Sequence, residues 1–452
     1  MTESPFELPP VFRAEEAALL MNWIGAGESA SIVGVSGVGK SNLFNHVLNP
    51  KVQEAHLGPG ARHFIFVRVN LHYLPEYTDR AVYSLILEQV ERLAQGVDTR
   101  DVAPDVFERI EHEHDAMLDA GSDRVKVQLH FKRAVHALLA DPSRRLVLLL
   151  DQFDDLYREA DQSLFVNWRG LREDYKYRLS YLTFTRDTLP SLAATDSKRD
   201  EFYELLASNV MGLKPYNRED AALLLRRIAG RHQLELSDAL ADQLIQLSGG
   251  HGSLLRATYL AAAREGASLS SVDDDAARSL LSLPGIEAEC GKIRDSLSVE
   301  EQRALKRRIQ GQTTGAALDS VEERLRLKGV LIGRENPAAF APIFKVYLES
   351  RKASWERPIF LDERKRQVWV FGEPAPRLAP KEYQLLEALY RRSDEVVSKD
   401  ELVEAGWPEA KGSVTDEMLN AVISRLRKKI EPDGSGLIET VRGQGYMLTT
   451  HS

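Results

Sequence analysis

Cysteine is almost missing from this chain: Cys290 is the only one in 452 residues. A single thiol excludes an internal disulfide framework and any zinc site built on Cys. Set among charged neighbours, it is expected to fill space rather than to react. No uninterrupted apolar stretch reaches the length of a membrane span. Met1–Pro10 has neither the basic start nor the apolar stretch of a secretion signal, so the cytosol is the expected compartment. Net positive charge is lacking too: 59 Lys and Arg stand against 68 Asp and Glu, for a formal net charge of −9. Such a chain is no general binder of polyanions, and any contact with nucleic acid falls to a local patch that opposes the overall field. Internal repeats and low-complexity segments are also absent. The 43% of hydrophobic residues is ordinary for a folded protein, and the length suggests about three domains.

The apolar spacing orders the chain. Ala17, Leu20, Met21 and Ile24 predict a helix over Val11–Gly27. Ala30–Val33 reads as a strand that runs into a Gly-rich turn, followed by a helix carrying Leu43, Val47 and Leu48. Phe64–Asn70 and Leu179–Thr185 read as strands. Arg145–Leu150, an apolar run ending in Asp151, reads as a strand buried on both faces of a parallel sheet. Two long helical stretches bracket what reads as a looser acidic region near Gly96–Gly121. Strands alternating with helices predict an α/β core. After Met211–Pro215 the pattern is helical, with Leu223, Leu224, Ile228, Leu240, Leu244 and Leu247 on helix faces, up to a glycine stop at Ser248–Gly250. Leu297–Ser350 reads as a small helical unit closing with a hairpin-like stretch near Gly329–Phe340, and Trp355–Pro358 as a linker.

Gly34-Val-Ser-Gly-Val-Gly-Lys-Ser41 matches the phosphate-binding loop in full, between a strand and a helix. Its glycines let backbone N–H groups turn inward around phosphates, and the helix N-terminus favours negative charge. Gly34, Gly37, Gly39, Lys40, Ser41 and Asn42 are the candidate nucleotide set. Lys40 is expected to reach the β- and γ-phosphates of ATP and Ser41 to ligate Mg²⁺. Asp151 suits the acid that ends a Walker B strand and holds Mg²⁺, directly or through water. Gln152 can orient a water but cannot take its proton. Asp154 or Asp155 is left as a candidate base, or both belong to a solvated acidic loop. His46, inside the helix after the loop, reads as a packed or surface histidine.

Asp151-Gln-Phe-Asp-Asp-Leu156 resembles the Asp-Gln-Phe-acid-acid motif of the STAND-class signalling NTPases, relatives of AAA+ and origin-recognition ATPases. Three further segments are similar to that class. Arg186 ends the fourth strand where the class has its sensor arginine; it reads equally well as a γ-phosphate sensor or as the partner of Asp187 or another neighbour. Gly212–Asp220 resembles the entry into the helical lid. Ser248–Gly252 resembles the lid's Gly-x-Pro motif, but Gly252 replaces the proline, which weakens the case for His251 as a nucleotide contact. Residues 297–350 resemble the small winged helix that follows the lid. The resemblance covers about residues 10–350. It implies domains at 1–212 (nucleotide core), 213–284 (lid) and 285–352 (inner winged helix).

Residues 358–450 resemble the OmpR/PhoB-type transcription-factor domain along their whole length, within an expected domain at 356–452. Ile359–Asp362 and Gln367–Phe371 match its leading strands and Leu378–Leu386 its first helix. Val397–Leu402 matches the start of the second, with a Ser398–Glu401 capping box. Ile423–Lys429 and Ile438–Tyr446 match its strongest motifs. In a helix over Val414–Ile430, Leu419, Val422, Ile423, Leu426 and Ile430 form one apolar stripe. The opposite face carries Glu417, Asn420, Ala421, Ser424, Arg425 and Lys428. Such a face suits the major groove, with Asn420, Ser424 and Arg425 as base readers, and Arg427, Lys428 and Lys429 as phosphate contacts. Arg442, between the wing strands, suits the minor groove. Ser413 and Asp416 read as a capping box. Glu417 has no such structural reason and opposes tight binding to DNA.

The expected fold is therefore an α/β P-loop NTPase with a parallel sheet, helical lid and small winged helix, followed by an α+β winged helix-turn-helix domain. The expected function is a slowly hydrolysing, ATP-dependent switch over a DNA-binding domain, a transcriptional regulator acting on double-stranded DNA. The expected partners are further copies of the chain in a nucleotide-dependent homo-oligomer, and a protein stimulus of unread identity. The alternatives are an AAA+-like ATPase of DNA replication or remodelling, and a defence-type sensor whose winged helix binds protein.

Overall fold

The computed structural model describes residues 8–94, 102–193, 197–265, 271–309, 319–334, 337–350, 359–362, 367–370, 373–408, 414–431, 436–441 and 443–449. Arg442, Ser413 and the Trp355–Pro358 linker lie outside them. The chain divides into two compact units, Met1–Tyr347 and Leu348–Ser452. No described helix is long and apolar enough to cross a membrane.

The first unit is built on five parallel strands: β1 (Ala30–Val33), β2 (Phe64–Asn70), β3 (Arg145–Asp151), β4 (Leu179–Thr185) and β5 (Val210–Gly212), in the order β2-β3-β4-β1-β5. Helices on both faces bury β1, β3 and β4 almost completely, so these strands carry runs of Val, Leu and Ile rather than an alternation. β4 lies between β1 and β3, and the connections leaving β1 and β4 run to opposite edges of the sheet, to β2 and to β5. The C-terminal ends of β1, β3 and β4 therefore flank one crevice, the usual ligand position in open α/β sheets. β5 is not foreseen from the sequence: three residues are too short to show a period, and pairing with β1 is what makes them a strand.

The region near Gly96–Gly121 is not loose where it is described. Pro104–Asp119 is a 16-residue helix. Phe107, Ile110, His114 and Met117 recur at helical spacing and are buried against a neighbouring layer of helices, while the acids that suggested a loop face outward.

The lid follows as helices Arg218–His232, Asp238–Ser248 and Gly252–Glu265. The inner winged helix comprises helices Ile286–Asp295, Val299–Ile309 and Asp319–Leu327 and a hairpin of β6 (Leu331–Ile332) and β7 (Ala338–Ala339), where the hairpin was expected. Cys290 is fully buried, and burial pushes its thiol up to about 12, so it fills space.

The second unit has a leading sheet of β8 (Ile359–Asp362), β9 (Gln367–Val370) and β10 (Glu373–Pro374), then helices Pro380–Arg391, Lys399–Gly406 and Asp416–Ile430. A second sheet joins β11 (Val396–Ser398), β12 (Ile438–Val441) and β13 (Gly445–Leu448), the last two forming the wing. The Ser398–Glu401 capping box is present. The third helix starts two residues later than expected and is capped by Thr415, whose side chain accepts from the Met418 N–H; Asp416 instead pairs with Lys399. Leu419, Val422, Ile423, Leu426 and Ile430 are all buried, as the stripe requires.

Candidate functional sites

The phosphate loop joins β1 to helix Lys40–Val47. Gly37 and Gly39 have φ of 75° and 113°, a region that favours glycine. There is also no room for a side chain: a Cβ on Gly39 would lie 2.0 Å from the Tyr216 hydroxyl, and one on Gly37 2.2 Å from Ser253 Oγ. The loop is thus gripped from the lid. The Ser253 N–H donates to the Gly37 carbonyl at 2.9 Å, and Tyr216 accepts from Asn42 Nδ2 at 2.8 Å. The inner winged helix reaches it as well, since the Ser36 N–H donates to Ser296 Oγ at 3.3 Å.

A cleft of ≈ 410 Å³ lies over the ends of β3 and β4. It is lined by Gly37, Gly39, Lys40, Ser41 and Asn42 from the loop, and by Asp151, Gln152, Asp154 and Arg186. Gly34 is buried beneath it. Lys40 donates to the Gly34 carbonyl and, at 3.1 Å, to that of Val35. Burial lowers its pKa to about 8 despite the nearby Asp154 and Asp151 carboxylates. Burial raises the pKa of Asp151, against the hydrogen bond from Gln152 N–H and the charge of Lys40. Gln152 itself is held at φ 56°, a left-handed conformation that a residue other than Gly rarely adopts, at the turn from β3 into helix Phe153–Glu159. Ser41 is exposed in the first helical turn and faces the same cleft as Asp151. A desolvated lysine in the first turn of a helix, with a hydroxyl and a carboxylate facing the same cleft, fits a triphosphate with a divalent cation.

Asp154 and Asp155 separate. Asp154 is buried and accepts from the Arg186 N–H at 2.8 Å, tying the end of β4 to the turn after β3. Asp155, one helical step round, pairs with Arg158 at 3.0 Å and does not line the cleft, so it is removed from the candidate bases. Arg186 is half exposed in the cleft, its Nε 3.8 Å from Asp154, and it does not pair with Asp187. Asp187 instead meets Lys328 of the inner winged helix at 2.9 Å. Lys328 also bonds Glu301 at 2.7 Å, and neither side chain of that pair has any exposure.

Sequence reasoning missed Arg13. It is 1% exposed, its N–H donates to Asp220, and its guanidinium donates to the carbonyls of Val38 in the loop and Lys214 at the lid entry. It also stacks on Tyr216, 4.1 Å from the ring centre. The available signal was an arginine directly before an apolar helix. His46 is packed edge-on against Phe12. His251 is fully buried between Gly37 and the Phe340 ring, and desolvation lowers its pKa to about 3, so it is neutral packing.

In the second unit, Glu417, Asn420, Ala421, Ser424, Arg425 and Lys428 are exposed along one face of helix Asp416–Ile430. Two of the three expected phosphate cations turn inward. Arg427 donates to the Ile438 carbonyl at 2.7 Å and to Thr440 Oγ1 at 2.8 Å, bracing the wing. Lys429 bonds Glu382 at 2.7 Å; burial tends to raise that carboxyl's pKa, but Lys429 and the Ala379 N–H hold it below the usual range. Arg425 lies 3.9 Å from Glu382 yet is mostly exposed. Asn420 accepts from the Tyr446 hydroxyl.

The model of the family Novel STAND NTPase 1 matches residues 12–271, more than half of the chain. The chain belongs to that family. The model for the C-terminal domain of transcriptional regulatory proteins matches residues 372–448. This STAND NTPase is therefore fused to an OmpR/PhoB-type winged-helix domain. Over 93 residues it is 37% identical to the two-component response regulator PhoP of Pseudomonas aeruginosa, covering 20% of this chain and 40% of that one. Over 83 residues it is 41% identical to the transcriptional regulatory protein YxdJ of Bacillus subtilis, covering 18% and 36%. The chain thus spans well under half the length of these relatives. Similar solved structures include the Walker-type ATPase of Pyrococcus abyssi (13% identity, TM-score 0.47, covering 76% of this chain and 100% of that one). Another is the Klebsiella pneumoniae RstA DNA-binding domain in complex with its box (27% identity, TM-score 0.19, covering 21% and 93%).

Proposed function

We propose that this STAND NTPase is a switch in which ATP and Mg²⁺ control the DNA binding of its C-terminal domain, and so transcription. The observation that carries the reading is the grip on the phosphate loop. Tyr216 and Ser253 of the lid and Ser296 of the inner winged helix all touch the loop, while Lys40 is bonded to the loop's own carbonyls. Lys40 has to leave those carbonyls to meet a phosphate, so nucleotide entry changes the loop that three elements hold. Ser41 and Asp151 would hold Mg²⁺. Arg186 and Asp154 stand where charge on a terminal phosphate is felt, and the Asp187–Lys328 pair lies one residue further on.

Hydrolysis is slow in this reading, because Gln152 cannot take a proton and Asp154 is engaged by a backbone N–H. Asn420, Ser424 and Arg425 read bases, Lys428 meets phosphate, and Arg442 enters the minor groove. With Arg427 and Lys429 engaged inside the domain, a single domain binds weakly. Copies brought together by ATP bind tandem half-sites far better, because the second contact becomes intramolecular. The test compares the full chain with Lys40→Ala for binding of a fluorescent ATP analogue and of selected DNA, with and without ATP. Loss of nucleotide binding together with loss of the ATP effect on DNA supports the switch. Full-strength nucleotide binding by the variant, or DNA binding indifferent to ATP, refutes it.

A further inference from the structure

A second cavity, of ≈ 240 Å³, opens on the lid side of the phosphate loop. Gly37, Gly39 and Asn42 form one wall, and Arg227, Ser253 and Arg256 of the lid helices face them. No carboxylate lines it, whereas the first cleft holds Asp151 and Asp154. Arg227 Nε and Ser253 Oγ are buried without a hydrogen-bond partner. Arg231, one turn after Arg227, brings a third guanidinium to the same wall. Burial, and then the like charge of Arg231, push the pKa of Arg227 down. Like charges gathered around a recess, without a carboxylate among them, repel one another, and an anion between them reverses the sign of that interaction.

The direction of a bound nucleotide identifies the anion. A triphosphate with its terminal phosphate at Asp151 and Arg186 would lead its nucleoside end past Asn42 toward this second cavity, which shares Gly37, Gly39 and Asn42 with the cleft. Leu224 and Ile228 supply apolar wall there for a base. In ATP that end carries no charge, and Arg227 and Arg256 would have no anion there to hold. We propose that the nucleotide recognised here carries a further phosphate on its ribose, a nucleoside 5′-polyphosphate with a 2′- or 3′-phosphate, held by Arg227 and Arg256. The inference rests on the nucleotide site proposed above and names its ligand class. It also supplies an entry point for a stimulus: the signal arrives as a chemically marked nucleotide.

The test titrates the full chain with ATP, adenosine 5′-triphosphate 3′-phosphate and the 2′-phosphate isomer, in competition with a fluorescent ATP analogue. At least one ribose-phosphorylated nucleotide should compete about tenfold better than ATP, the scale of one charge-assisted hydrogen bond to phosphate. Arg256→Ala and Arg227→Gln should each shrink that ratio, and added salt should narrow it. Arg256 is exposed on its helix, so its variant keeps the fold, which circular dichroism checks. Equal competition by all three nucleotides in the wild type overturns the inference and leaves the ATP site standing. Variants that weaken all three by one factor overturn it too, and assign the arginines to the ordinary triphosphate. If no nucleotide binds, the nucleotide site itself falls, and this inference with it.

Discussion

One chain carries two winged helices, and they spend their charges in opposite ways. The inner one turns its third helix, Asp319–Leu327, onto the sheet: a Cβ on Gly212 of β5 would lie 1.9 Å from the Leu327 carbonyl oxygen. Its ions are buried, with Lys328 and Glu301 fully enclosed and Asp187 closing the cluster from just beyond the end of β4. The outer one leaves its third helix, Asp416–Ile430, with one face bare, and keeps Arg427 and Lys429 for its own wing and first helix. The same small architecture packs once against the sheet of the first unit and once leaves a helix face open. The difference lies in where the charges point and in their balance: Asp319, Glu322 and Glu323 outnumber Arg324 and Arg326 on the inner third helix, whereas the outer one is basic.

The largest effect that separates them is on stability. Lys328→Ala leaves Asp187 without its cation and Glu301 with only Arg324 at 3.8 Å, and should destabilise the first unit by about 3–5 kcal/mol, whereas Lys428→Ala on the outer helix should stay within about 0.5 kcal/mol. Urea melts of both variants check this, and equal small shifts would erase the contrast. Next come the two arginines of the outer helix. Arg425→Ala should cost about 1–3 kcal/mol of discrimination between bases without moving the melt. Arg427→Ala removes three hydrogen bonds to the wing, costing about 1–3 kcal/mol of stability, and weakens binding to all sequences alike. Selection of bound sequences alongside thermal melts distinguishes the two.

A third prediction concerns pH. Lys40 has a pKa lowered to about 8, so the cost of burying its charge is fully present below pH 8 and is relieved as pH rises toward a lysine's ordinary value. Stability therefore gains with pH in that window. Triphosphate binding runs the other way, because the phosphates want the charged form: affinity should fall by up to about tenfold per pH unit above 8. Isothermal titration across pH 7–10 measures it, and Lys40→Arg should flatten the dependence. The smallest effect is Lys428→Ala on DNA, which should lower the salt slope of binding by about 0.9. A slope left unchanged would return Lys428 to the role of a solvated helix end.

Contiguous features were legible in the sequence. The phosphate loop, Asp151 and four of the five strands each lie within a dozen residues, so local pattern defines them, and the third helix of the outer domain declares its buried stripe by period alone. What escaped depends on partners far along the chain. Arg13 finds Asp220 and Lys214 some 200 residues away. Lys328 finds Asp187 across the lid, and β5 exists because β1 pairs with it. Helix Pro104–Asp119 was hidden by its own solvent-facing acids. Periodicity places Arg427 and Lys429 on their helix, but whether a long side chain reaches outward or back to Ile438 and Glu382 is settled by tertiary neighbours.

The enclosed Lys328–Glu301–Asp187 cluster also bears on time. Any movement that parts the inner winged helix from the sheet carries Lys328 and Glu301 away together and must draw the ammonium group off Asp187 before water can replace it. Attraction between such charges is strongest where the surroundings are least polar. That penalty falls on the barrier more than on either end state, where the ions are paired or hydrated. Departure is then slow beside the diffusion of a nucleotide into the cleft, and it is barely quickened by salt, which screens enclosed pairs poorly. In the switch proposed above, a molecule built this way would keep its last arrangement for a while after its ligand has gone, and so would average a fluctuating nucleotide supply instead of following it.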